Sequence, residues 1–173
     1  MSPGDSLPAA SAAAPAESGL LTAAEHLTLA KVADVAATRL RTVTEDALLV
    51  EVAALLASAQ ISAVLVCNAS GAALGIITET LLIRHLGLGR ADFFATRAGA
   101  VMQSEFVVCA LGDSLRELLN RMQERGLIHA FLLDADRKPL GVLTLRDGLR
   151  ALLATGEREE QLLRDYVMGV GYQ

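Results

Sequence analysis

Thr144 and Asp147 stand three residues apart in the stretch GVLTLRDGL, Gly141 to Leu149, and their types and spacing suit one kind of chemistry. Where a strand passes into a helix, the first backbone N–H groups lack intrahelical partners and favour an anion such as a phosphate. A threonine hydroxyl at that junction adds a further hydrogen bond. One turn on, an aspartate carboxylate can accept charge-assisted bonds from both vicinal hydroxyls of a ribose. Arg146 is placed to reach a phosphate or to face solvent. Plainer uses stand beside these: Asp147 is favourable against the helix dipole, and Thr144 suits a cap on the same helix. Upstream, GIITETLLI from Gly75 to Ile83 repeats the pattern with one loss. Thr78 matches Thr144, but Leu81 holds the place of Asp147 and cannot accept a hydroxyl, and Thr80 is one residue out of register. The two motifs predict one intact site and one degenerate site.

The elements that must position these residues also come twice. Setting Asp46 on Asp113 aligns DALLVEVAALLASAQISAVLV with DSLRELLNRMQERGLIHAFLL. Leu48 then meets Leu115, Val52 meets Leu119, Leu55 meets Met122 and Ile61 meets Ile128. One deletion in the second copy brings Gly75 onto Gly141 and Thr78 onto Thr144. In each copy a short apolar stretch (40–43; 106–109) predicts a strand. An aspartate in N-cap position then opens a helix, about 46–58 and about 113–125. Gly126 suits the end of the second of these helices. ISAVLV and IHAFLL are too short for helices and rich in strand formers, which predicts buried strands. CNASGA and DADRK have hairpin chemistry, ALGII and PLGVL give a third strand, and a second helix starts near Glu79 and near Arg146. The expected unit is β-α-β-β-α, twice, in a mixed α+β (α/β) fold.

Composition narrows the function classes. The chain has 173 residues, 53% of them hydrophobic and 20% charged, which fits a well-packed domain or two small units sharing a core. A net charge of −5 argues against a nucleic-acid surface, and 3% aromatic content leaves little for base stacking. No apolar run reaches the roughly 20 residues of a membrane span, and the start lacks the pattern of a secretory signal, so the expectation is a cytoplasmic protein without membrane contact. Cys67 and Cys109 lack metal-type spacing and read as buried hydrophobes. His26, His85 and His129 are dispersed, with no ligand-spaced carboxylates, and no metal is expected. No nucleophile–base pair stands out, so no enzyme is expected.

Residues 1–18 are Ala/Pro/Ser-rich and read as disordered. Thr22 to Glu25 has capping-box spacing for a leading helix within 19–31. The first unit is expected over 32–88 and the second over 98–155, joined by GLGRADFFATRAG. A charged helical tail follows over 156–173, with Leu162, Leu163, Tyr166 and Val167 sharing a face.

A duplicated unit of this order, each copy ending in glycine, two aliphatics and threonine before its last helix, resembles the cystathionine β-synthase (CBS) domain pair, or Bateman module. KVADV (31–35), VTEDALLVEVAALL (43–56), GIIT (75–78), VMQSEFVV (101–108), GDSLRELLNRMQERGLIHAFLLD (112–134) and GVLTLRDGL (141–149) carry the resemblance, over roughly residues 31 to 154. The resemblance implies two units packed about a pseudo-twofold axis, with two clefts between them. It implies a regulatory module without catalysis that binds AMP, ADP, ATP or an S-adenosyl compound, modulates a partner protein and forms a homodimer. By the family pattern the nucleotide would lie on Thr144, Arg146 and Asp147, with adenine against Val107, Val108, His129 and Ala130. The other function to weigh is a ligand-free dimerisation or interaction scaffold acting through the C-terminal tail.

Overall fold

A computed structural model describes residues 27–89 and 92–169. The first unit comprises β1 (Thr42–Thr44), α2 (Leu49–Ala59), β2 (Ala63–Cys67), β3 (Ala73–Thr78) and α3 (Glu79–Gly87). The second comprises β4 (Val107–Cys109), α5 (Leu115–Glu124), β5 (His129–Leu133), β6 (Pro139–Thr144) and α6 (Leu145–Gly169). A short helix leads into each: α1 (Ala33–Arg39) and α4 (Ala98–Val101). Each unit forms a three-stranded sheet in which the first strand runs parallel to the second and the third antiparallel to it. Among the described residues no helix is long and apolar enough to cross a membrane.

The apolar runs of β2 and β5 follow from burial on both faces, every residue of either strand being buried. Val64 and Val66 face Leu49, Val52 and Leu56 of α2. Ala130 and Leu132 face Leu115, Leu118 and Met122 of α5. The alternate residues Ala63, Leu65, Cys67, Phe131 and Leu133 meet in a core shared by both sheets. There the ring of Phe106 meets Phe131 edge to face, centroids 5.7 Å apart. Ala73 and Ile76 of the first unit and Val142 of the second complete that shared core.

The lead-in helices cross over. Ala98 of α4, which precedes the second unit, is buried in the first unit's core. Leu29 and Val32, which precede the first unit, are buried in the second's. This crossing explains the glycine that opens each motif. A Cβ on Gly141 would lie 2.7 Å from Ala36 Cβ and 2.8 Å from the Ala36 carbonyl carbon of α1, and one on Gly75 would lie 2.7 Å from the Gln103 carbonyl oxygen. Only a residue without a side chain lets the opposite lead-in come that close. Beside Gly75, Ile76 and Gln103 exchange two backbone hydrogen bonds of 2.9 Å.

The hairpin turns form as their chemistry predicts. Asn68 Oδ1 accepts from the amides of Ser70 and Ala72, and Asp134 Oδ1 accepts from those of Asp136 and Lys138. Gly71 and Arg137 take the left-handed position at the same point of the two turns, with φ of 84° and 60°.

Four expectations are corrected. Asp46 and Asp113 do not cap the helices and are not equivalent. The caps are Leu48 and Ser114, while Asp113 Oδ2 accepts from the Ala110 amide and the Asp46 carbonyl accepts from Arg97. The buried sets Leu49, Val52, Leu56 and Leu115, Leu118, Met122 have the same spacing, so the offset that puts Thr78 on Thr144 holds through the whole unit and no deletion is needed. The buried positions, not the two aspartates, define the register of the repeat. The leading helix is also absent where it can be seen. Thr28 is extended and a 3₁₀ turn follows over Leu29–Lys31, because Leu27 and Leu29 are tied by backbone bonds to Leu115 and Asp113. The rest of that segment, and residues 1–18, lie outside the described residues. Lastly, the tail is no separate element up to Gly169: α6 runs unbroken from Leu145. The side chains of Leu162, Leu163, Tyr166 and Val167 lie outside the description.

Candidate functional site

The second motif borders a cleft of about 650 Å³. Thr144 ends β6 and Asp147 lies in the first turn of α6. The Thr144 hydroxyl donates to Asp147 Oδ2 at 2.6 Å and accepts from the Asp147 amide at 3.1 Å. Threonine and aspartate thus hold each other in a fixed posture, and the capping use of Thr144 is realised.

The Asp147 carboxylate has a further partner from the other unit. Arg39, the last residue of α1, reaches it through Nε at 3.0 Å to Oδ2 and through Nη2 at 3.2 Å to Oδ1. This two-pronged pairing is the geometry in which arginine binds carboxylates most strongly. The Asp147 side chain is 9% exposed and that of Arg39 46%. Arg146 and Arg150 line the same cleft, and among the described residues neither has an ion-pair partner.

The free amides expected at the helix start are largely spoken for. The Leu145 amide donates to the Ile128 carbonyl at 3.0 Å and the Asp147 amide to Thr144. The first motif behaves alike: Glu79 N–H donates to the Ser62 carbonyl, and Thr78 Oγ1 accepts from Leu81 N–H at 3.2 Å, capping α3. Thr78 thus caps α3 as Thr144 caps α6.

Of the four residues expected around adenine, one borders this cleft. His129 does so, with Ser62 opposite. Val107 lines the other cleft, the one at Thr78 and Leu81. Val108 faces a separate groove with Arg125 and Arg137. Ala130 is fully buried in the second unit's core. The pseudo-twofold packing explains the correction: each motif faces the other unit's strand entrances. The wall opposite Thr144 is therefore Arg39 with Gln60, Ile61, Ser62 and Ala63, which frame a small recess of about 60 Å³ continuing from the main cleft. The wall opposite Thr78 runs through Glu105 to Val107 and Gly126 to His129.

His129 sits where the two clefts approach, lining both. Its Nε2 lies 2.8 Å from Ser62 Oγ across the interface of the units. Burial lowers its pKa below the ordinary 6.5. The first cleft, about 500 Å³, differs in charge. Glu79 and Glu105 line it with Arg84, whereas Arg39, Arg146 and Arg150 line the second with Asp147. Arg39, Arg150 and Ser62 were missed in the sequence. Their signal was the duplication itself, since a twofold pair builds each cleft from a motif of one copy and the strand entrances of the other.

Comparison with known proteins agrees with this architecture. The family model for the CBS domain matches twice, at residues 32–88 and 98–154. Among solved structures, a candidate signal-transduction protein with CBS domains from Burkholderia ambifaria MC40-6 is 26% identical, with a TM-score of 0.65 over 74% of this chain and 95% of that one. The CBS domain of a membrane protein from Sphaerobacter thermophilus is 24% identical, with a TM-score of 0.63 over 76% and 91%. The CBS pair of the protein MJ0100, solved with 5′-methylthioadenosine and S-adenosyl-L-methionine, is 17% identical, with a TM-score of 0.63 over 72% and 96%. No curated protein matches. With two matched repeats spanning most of its length and the crossed packing of its two sheets, this chain belongs to the CBS-domain family as a tandem pair.

Proposed function

We propose that this CBS pair is a non-catalytic regulatory module that binds an adenosine-containing molecule in the cleft of the second motif and modulates a partner protein. One observation carries the reading: a nearly buried carboxylate, Asp147, is held by Thr144 at the rim of a cleft large enough for a nucleoside. Such a carboxylate is suited to the two ribose hydroxyls, and the recess at Gln60 to Ala63 offers backbone groups and Ile61 to a flat base. That MJ0100 holds adenosine compounds supports the ligand class. In the first cleft Leu81 offers no such acceptor, so the reading assigns one site per chain.

The module is read as a homodimer in the cytoplasm. The repeat-equivalent positions Ile83 on α3 and Leu149 on α6 are both exposed, with Leu86 and Leu153 beside them. A second copy would cover these two related faces in a self-complementary way. Light scattering of the intact chain tests this, a monomeric mass at micromolar concentration being the contrary result.

Thermal shift against AMP, ADP, ATP, S-adenosylmethionine, NADH and cyclic dinucleotides tests the ligand reading, with Asp147→Ala in parallel. A ligand at about 100 times its dissociation constant adds roughly 2.7 kcal/mol, a visible shift. Loss of that shift in the variant supports the site. A second reading, a ligand-free scaffold working through the C-terminal helix, draws on the fact that Arg39 already satisfies Asp147 from within the chain. No shift with any compound, together with loss of partner capture on truncation after Thr155, would favour it.

A further inference from the structure

Resting on that reading, we infer that Arg39 makes the second cleft selective for nucleotides bearing a phosphate chain, by exchanging Asp147 for phosphate when the ligand enters. Asp147 is not vacant: Arg39 occupies both of its oxygens and Thr144 one of them. A ribose can set both of its hydroxyls on the carboxylate only by displacing a guanidinium bond, since three of the roughly four acceptor sites are already taken. A displaced arginine finds no other carboxylate in the cleft, since Asp147 is the one carboxylate among the described residues that line it. Arg146 and Arg150 face the same space, also without an acid partner among the described residues. A neutral nucleoside would leave three arginines uncompensated, and a sulfonium nucleoside would add a cation to them. A di- or triphosphate supplies what all three lack, in the forked geometry that guanidinium groups favour.

At the α6 terminus the amides of Leu145 and Asp147 add nothing to this charge preference, because they already donate within the protein. Nor does the first cleft share it, having two glutamates against one arginine. The anionic preference belongs to one cleft of a chain whose net charge is −5. Arg39 comes from α1, which rests on β6 at Gly141, so the exchange of partners also undoes an ion pair between the two units.

The test is calorimetric titration of the full-length chain with ATP, ADP, AMP, adenosine and S-adenosylmethionine, repeated on Arg39→Gln, with circular dichroism to verify its fold. ADP and ATP should bind at least about ten-fold more tightly than adenosine, the worth of one charge-assisted bond, and rising salt should narrow the gap. Arg39→Gln should move the two ligands in opposite directions: ADP about ten-fold weaker, adenosine tighter because Asp147 is released. Arg39→Lys, which keeps the charge but not the fork, should retain part of the preference. Equal affinity for adenosine and ADP, or an Arg39→Gln effect of the same sign on both, overturns the inference while leaving adenosine sensing intact. Binding of none of the five overturns both.

Discussion

Gly141 and Ala36 meet so closely that the smallest side chain on the glycine would overlap Ala36, its Cβ falling 2.7 Å from that of Ala36. The contact joins the last strand of the second unit to the helix that leads into the first, and that helix ends in Arg39. Gly141→Ala should therefore cost about 1–3 kcal/mol, the usual range for overpacking a tight contact. Gly156→Ala is the control: it lies within α6 with nothing inside 4 Å of an added Cβ, and should gain roughly 0.5–1 kcal/mol. Urea midpoints of the two variants should move in opposite directions.

The shared core makes the units interdependent. Phe131 is 1% exposed and packs on Leu65, Cys67 and Ile76 from the other unit. Phe131→Ala should lose about 3–5 kcal/mol, and fluorescence probes placed in the two units should report one common transition. Two separate transitions would show that each unit folds by itself.

His129 sets a pH dependence. Its folded pKa lies below 6.5 through burial, so the unfolded chain binds a proton first as pH falls. Stability is then unaffected above the unfolded value. It declines as pH drops from about 6.5 to the folded pKa, and is level below it. A pH series of melting temperatures should show this decline in the native chain and a weaker one in His129→Gln, which keeps a polar atom near Ser62.

The cysteines should be inert in the folded state. Burial raises the pKa of Cys67, and burial with the negative charge of Asp113 pushes that of Cys109 up to about 12. Thiolate is the reactive form, so a maleimide at pH 8 should label neither until denaturant is added. Rapid labelling in native buffer would place one of them nearer the surface.

Most of the fold was legible because the apolar pattern is dictated by burial. The runs at β2 and β5, the turns at Asn68 and Asp134, and the threonines ending β3 and β6 each follow from local chemistry. What misled were residues whose role is set by contacts far along the chain. Asp46 and Asp113 look alike in sequence, yet one turns a loop at Ala110 while the other gives its carbonyl to Arg97. Val107 and Ala130 belong to the same repeat as the second motif, but parallel pairing of β4 with β5 sends one to the other cleft and buries the other. Arg39 carries no local mark at all; it matters because Gly141 lets α1 settle on β6.

On the proposed function one cleft, walled by the second motif and the first unit's strand entrance, takes the ligand. Backbone amide chemical-shift mapping of the full chain titrated with ADP addresses it most directly. The account predicts saturable shifts gathered at Gln60 to Ala63 and Thr144 to Arg150, with Thr78 to Arg84 quiet. Shifts centred on Thr78 to Arg84 and Glu105 to Val107 instead would contradict it and move the site to the cleft where Leu81 stands.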